Sequence, residues 1–210
     1  MNEPQDRRAM ILATAAEMFA RKGIRSTTVR EIADAVGVLS GSLYHYFDSK
    51  DAMVKDILMS FQDAIRTRYG EVLARDEGSA QALADLVLAS LQVAREQPDA
   101  TAIYQNELQY LRETPRFKEV QAAASEVQRV WLGILERGVD DGSFRDDIAP
   151  RVFYRMIRDA VWLSGRGHRA DGGYSTEQLA EAITSIFLDG FSARATSGRS
   201  PHDKVAAQTA

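Results

Sequence analysis

The chain has 210 residues, 45% of them hydrophobic, a net charge of −4 and no cysteine. That is enough apolar material for one sizeable core or for a small domain beside a larger one. It excludes a disulfide framework, thiol chemistry and indiscriminate nucleic-acid binding, and no apolar run approaches the ~20 residues of a membrane span. The polar start Met1-Asn2-Glu3-Pro4-Gln5-Asp6 lacks the apolar stretch of a signal peptide, so a cytoplasmic protein is expected. Charge is unevenly spread: residues 1–50 hold seven Lys/Arg against six Asp/Glu (+1), and residues 51–210 nineteen against twenty-four (−5). DNA binding by such a chain has to rest on geometry and a few placed charges, most simply from two copies acting together.

Arg7 to Lys22 is an amphipathic helix with Leu12, Ala15, Ala16 and Phe19 on one face. Arg7 and Arg8 are either a solvated helix start or phosphate contacts. Residues 26–50 form a helix-turn-helix. Ser26, Thr27 and Thr28 offer N-cap hydroxyls, and Val29, Ile32, Ala33 and Val36 share a face of a first short helix. Gly37 supplies the left-handed residue after it, and Val38 turns back to the core. A second short helix spans Leu39 to Tyr46. It presents Ser40, Gly41, Ser42, Tyr44, His45 and Tyr46, small and aromatic side chains suited to a major groove. Asp48 and Ser49 cap a long third helix, Lys50 to about Arg75, striped with Val54, Ile57, Leu58, Phe61 and Ile65.

Further helices follow over Ala80–Gln97, Ala100–Arg112, Thr114-Pro115 to Gly138, and Arg151 to Gly165. A glycine-rich loop, 165–174, precedes a last helix capped by Ser175 and striped with Leu179, Ala182, Ile183, Ile186 and Phe187. From Ala193 the composition is that of a disordered tail. No segment alternates with period two. The expected fold is all-α, about nine helices: a three-helix head (1–48), a larger helical part (49–195) and a tail (196–210).

Thr28-Val29-Arg30-Glu31-Ile32-Ala33, Gly37-Val38 and Leu43-Tyr44-His45-Tyr46-Phe47-Asp48-Ser49-Lys50 together resemble the N-terminal signature of TetR-type transcriptional repressors. The resemblance covers about a quarter of the chain. It departs at Leu39, where the family usually has a serine or threonine cap, so Ser40 is expected to take over the cap and the helix to start one residue late. The likeness implies operator contacts from Thr27, Thr28, Arg30, Ser40, Gly41, Ser42, Tyr44, His45, Tyr46 and Lys50. It also implies a homodimer through the last two helices, with Val161, Leu179, Ile183, Ile186 and Phe187 at the interface. A two-fold pair would place its reading helices about one DNA turn, roughly 34 Å or a multiple, apart on a pseudo-palindrome.

The same likeness implies a small-molecule pocket between residues 51 and 165. Tyr104, Tyr110, Phe117 and Trp131 are pocket aromatics or ordinary core. Gln105 and Glu107 orient a ligand group or sit at the surface. Arg158 and Trp162, four apart, share a face beside the apolar stripe. Arg158 then either meets a ligand anion or carbonyl or pairs with Asp159, Glu107 or Asp147. With Ile103-Tyr104-Gln105-Asn106-Glu107 and Tyr154 to Trp162, the chain is similar to actinobacterial repressors of late sterol-ring catabolism, which implies an acyl-CoA thioester effector with Arg166 and Arg169 adding to a basic rim. The alternative is a regulator of another catabolic or efflux operon with a different hydrophobic ligand. An enzyme is not expected: His45, His168 and His202 lack metal-ligand spacing, and no nucleophile elbow, phosphate loop or dinucleotide fingerprint occurs. No cofactor, metal or membrane partner is expected either.

Overall fold

The computed structural model describes residues 3–164 and 174–191. Among these, ten α-helices and no strand occur: α1 (Glu3–Lys22), α2 (Val29–Val36), α3 (Ser40–Leu43), α4 (Lys50–Leu73), α5 (Ser79–Glu96), α6 (Pro98–Asn106), α7 (Leu108–Glu113), α8 (Lys118–Asp140), α9 (Pro150–Ser164) and α10 (Thr176–Phe191). The expected single helix over Ala100–Arg112 is broken at Glu107, whose backbone (φ −110°, ψ 17°) leaves the helical region. The expected helix from Thr114-Pro115 begins as a 3-10 turn over Pro115–Phe117. Residues 165–173 of the expected loop and the expected tail, and with them Arg166, Arg169, His168 and His202, lie outside the described residues.

α1–α3 form the head. Thr28 caps α2 with its hydroxyl on the Glu31 N–H (3.2 Å), and the Glu31 carboxylate returns to the Thr28 N–H at 2.8 Å. The Lys22 ammonium, with the Thr28 N–H and hydroxyl, holds the Glu31 carboxyl down at about 2, so this reciprocal cap persists far into acid. Gly37 takes φ +71°, and its N–H bonds back onto the end of α2. Ile11, Phe19, Ile24, Ile32 and Leu43 meet in the head's core, completely or almost completely buried. α3 is short, but bonds from the Tyr46 and Phe47 N–H groups to the Leu43 carbonyl carry the winding to Phe47.

α4 joins head and body. It packs on α5 and α8 and also touches α1 and α6. The expected stripe Val54, Ile57, Leu58, Phe61, Ile65 is buried, and it extends to Tyr69 and Val72. α5 is the most enclosed helix, contacted by α4, α8, α9 and α10. Within this core Trp131 donates its indole N–H to the Tyr69 hydroxyl (2.9 Å), which meets the Ser90 hydroxyl at 2.6 Å. Ser90 in turn bonds the Leu86 carbonyl. All three polar side chains are satisfied, as deep burial requires.

Gly138 near the end of α8 is the seat of Phe144, which the following turn folds back over it. A Cβ at position 138 would fall 2.1–2.8 Å from three ring atoms. Phe144 is 2% exposed, so the ring has nowhere cheap to go. Gly138→Ala is therefore expected to destabilise the protein by about 1–3 kcal/mol, read as a lower denaturation midpoint. An unchanged midpoint would mean that Phe144 is not held as described.

Candidate nucleic-acid interface and effector cavity

Val38 and Leu43 anchor α3 from inside, so its other side faces out. Gly41, Tyr44 and His45 are exposed and Ser40, Ser42 and Tyr46 half-buried. Arg30 and Thr28 are exposed beside them on α2, with Arg30 only loosely paired to Asp34 at 3.9 Å. Ser40 does not take over the cap as expected: it is the first residue of α3, and Leu39 occupies the capping position without a side-chain bond.

Two expected DNA contacts are used inside the protein instead. Thr27 is completely buried, and its hydroxyl donates to the Gly23 carbonyl at 2.9 Å. The Lys50 ammonium donates to the carbonyls of Ile24 (2.6 Å) and Thr27 (2.8 Å), closing the loop before α2 rather than facing a phosphate. The reason is the same in both: carbonyls left over in that loop need donors, and these side chains are nearest. Arg8 likewise pairs with Asp56 of α4 and lies 4.7 Å from the centroid of the Phe47 ring.

The body contains a cavity of about 500 Å³ between α4, α6, α7, α8 and α9, within the usual range for small-ligand sites. Phe61, Gln62 and Ile65 come from α4, Tyr104 and Gln105 from α6, and Leu108, Leu111 and Arg112 from α7. Val120 to Gln128 of α8 and Tyr154, Arg158, Asp159, Trp162 and Leu163 of α9 complete the wall. Phe61 sits between Tyr104 (5.9 Å between centroids) and Trp162 (5.8 Å). The aromatic interior makes ionisation unfavourable: burial pushes Tyr104 up, and Tyr154 up to about 12. Both therefore serve as neutral hydroxyls. Arg112 and Arg158 supply positive charge at the cavity wall. Arg158 bonds Asp159 through Nε (2.9 Å) and Nη2 (2.6 Å) and lies over the Tyr154 ring.

Of the residues expected to meet a ligand, the fold brings Tyr104, Gln105, Arg158 and Trp162 together here, with Gln105 donating to the Trp162 carbonyl at 2.9 Å. Trp131 does not line this cavity; its side chain belongs to the core network with Tyr69. Glu107 does not either. Its Oε1 accepts the Ile24 N–H at 3.0 Å, tying the α6–α7 junction to the head. Arg25 reaches over the Tyr110 ring nearby, and the Tyr110 hydroxyl donates to Asp51 at the start of α4. Sequence reasoning missed Arg112 and Gln62. Gln62 carried a signal, a polar side chain inside the apolar stripe of α4; it is 1% exposed and its Oε1 has no partner among the described residues.

For the dimer surface, Val161 and Ile183 point inward, 0% and 7% exposed, and are core. Leu179 and Phe187 are half-buried, Phe187 against Phe153. Ile186 is 72% exposed. Among the described residues, the exposed large aliphatic and methionine side chains of α9 and α10 are Ile186 and, not expected from the sequence, Val152, Met156 and Leu163, whose spacing puts the last three on one side of α9.

This head and cavity define a ligand-responsive DNA-binding regulator. Residues 11–57 match the Bacterial regulatory proteins, tetR family, and residues 76–191 match the Tetracyclin repressor-like, C-terminal domain; the chain belongs to the tetR family. Members are regulators rather than enzymes; they bind operator DNA as dimers and respond to small-molecule effectors. The chain is 42% identical over 197 residues to the HTH-type transcriptional repressor KstR2 of Rhodococcus jostii, covering 94% of this chain and 93% of that protein. The structure of the ketosteroid transcriptional regulator KstR2 of Mycobacterium tuberculosis superposes with a TM-score of 0.83 at 37% identity, over 90% of this chain and 96% of that one. AibR, solved with isovaleryl coenzyme A and operator DNA, shares the fold (TM-score 0.73) at 18% identity, over 86% and 97% of the two chains. No described helix is long and apolar enough to cross a membrane.

Proposed function

We propose that this chain represses genes for breakdown of a steroid-derived ring acid and is released by that acid's coenzyme A thioester. The observation that carries the reading is the cavity: aromatic and aliphatic within, with two arginines in its wall. An apolar ring fits the first feature, and a thioester carbonyl or the coenzyme's phosphates fit the second. The 42% identity to a KstR2 repressor, together with the likeness to the ketosteroid transcriptional regulator KstR2 of Mycobacterium tuberculosis, supports a steroid-derived effector. Residues 1–48 serve as the DNA-reading part and 49–195 as the effector and dimer part. The operator contacts are Thr28, Arg30, Ser40, Gly41, Ser42, Tyr44, His45 and Tyr46, the dimer surface is the outer face of α9 and α10, and the work is done in the cytoplasm, where the operator lies.

The route from effector to operator runs through residues that already join the two parts. The cavity touches α4 directly and touches α6 and α7 on either side of Glu107. A ligand that moves the α6–α7 junction moves the acceptor that holds the Ile24 N–H, while Lys50 on α4 grips the carbonyl of the same residue. A tenfold to hundredfold loss of operator affinity needs about 1.4–2.7 kcal/mol of preference for the released conformer.

The test begins with selection of bound duplexes from sheared genomic DNA, which should return an inverted repeat beside ring- or acyl-CoA-degrading genes. A ring-acid thioester is then expected to weaken operator binding about 10- to 100-fold. In Arg158→Leu the thioester concentration needed should rise at least about tenfold, because a charged hydrogen-bond partner is lost, with operator affinity unchanged. Release by uncharged hydrophobes and indifference to thioesters would refute the assignment.

A further inference from the structure

Residues 35–47, which include all of α3, contain no Arg, Lys, Asn, Gln, Asp or Glu; the nearest such side chain among the operator contacts is Arg30 on α2. Those are the side chains that make bidentate contacts to guanine or adenine, or accept from cytosine. Base discrimination by α3 itself is left to hydroxyls, one imidazole and whatever apolar group is presented. Only one large aliphatic group is. Leu39 is 81% exposed, the most exposed large hydrophobic residue among those described, although its neighbours Val38 and Leu43 are turned inward.

Its position explains the exposure. Leu39 has an extended backbone (φ −70°, ψ 142°) at the capping position of α3, and its side chain makes no cap bond. In a helix-turn-helix the N-terminal end of the second helix contacts base edges. In the major groove the one apolar feature of those edges is the C5-methyl of thymine. Gly41, two residues on, has no Cβ and nothing within 4 Å of where one would be. The backbone can therefore approach the groove floor closely enough for a leucine to touch that methyl.

We propose that Leu39 is a specificity-determining residue of this repressor, selecting one T·A pair in each half-site through contact with the thymine methyl. The inference rests on operator binding by the head and is independent of the identity of the effector.

The experiment uses the full-length protein and the operator recovered by selection. Each thymine is replaced in turn by deoxyuridine, which removes the methyl and keeps the Watson–Crick edge. One position per half-site is expected to lose affinity about threefold to tenfold in the wild type, the effect of taking about one apolar carbon out of a contact. In Leu39→Ala the same replacement should have no effect. Leu39 is on the surface, so the variant is expected to keep its circular dichroism spectrum and melting temperature, and a second variant, Leu39→Met, should retain sensitivity. An operator bound tightly by the wild type at which every thymine tolerates loss of its methyl would overturn the inference and leave the repressor reading intact. Unchanged sensitivity in Leu39→Ala would overturn it as well.

Discussion

Replacing Ile186 and Met156 together by aspartate should turn the protein into a folded monomer and lower its operator affinity by at least about 100-fold. Both side chains are more than half exposed, at 72% and 56%, and Val152 and Leu163 share the Met156 side of α9. Two aspartates there would bury unpaired like charges from both protomers in a two-fold interface, since the same patch is contributed by each. The effect on DNA follows from linkage. In a dimer the second head binds at a millimolar effective concentration, and such tethering strengthens binding by 10²–10⁴ over one head alone. Sedimentation velocity and a titration with the selected operator would measure both. A variant that remains dimeric and binds normally would move the interface away from α9 and α10. Val161→Asp is the informative control. Val161 is fully buried and faces the core, so it should unfold the protein rather than yield a monomer.

The second large effect lies in the core. Trp131→Ala is expected to cost about 3–5 kcal/mol, the range for deleting a buried large aromatic. The indole packs against Tyr69 (6.2 Å between centroids) and Tyr154 (6.1 Å) and is the donor to the Tyr69 hydroxyl. Burial holds the Tyr69 hydroxyl well above the ordinary tyrosine range, so it remains protonated, and loss of the indole N–H leaves it with Ser90 alone. Trp131→Phe retains most of the ring and loses only that bond, for about 1–2 kcal/mol. Denaturant unfolding at fixed protein concentration would measure both variants. If Trp131→Phe instead abolishes the effector response while stability is unchanged, Trp131 is a ligand contact after all and the cavity extends further into the core.

These two cases show how a residue's type and its task come apart. Trp131 and Trp162 are equally conspicuous in the sequence, yet one closes a hydrogen-bond network and the other faces a cavity. The difference is a matter of which helices flank each, and helical periodicity states only that a face is buried, not what it is buried against. Glu107 is similar. From the sequence it either orients a ligand group or sits at the surface, and it does neither. The helix breaks at Glu107 itself, and its carboxylate accepts the Ile24 N–H from a segment 83 residues away.

The helix-turn-helix was legible from residue type, spacing and local caps, because the Thr28–Glu31 cap, Gly37 and the buried Ile32, Ala33 and Leu43 act within a few residues of one another. The order of the helices, the burial of α4's stripe and the membership in the family were legible for the same reason, since periodicity is a local property. Tertiary structure decided the rest. Thr27 and Lys50 became internal donors because a loop's carbonyls happened to need them. Val161 and Ile183 turned inward while Met156 and Ile186 turned outward, because the packing of α9 and α10 on α5 selects which part of a wide apolar stripe is covered. Contacts between segments far apart in the chain have no signature in either segment alone, and it is those contacts that form the cavity and join it to the head.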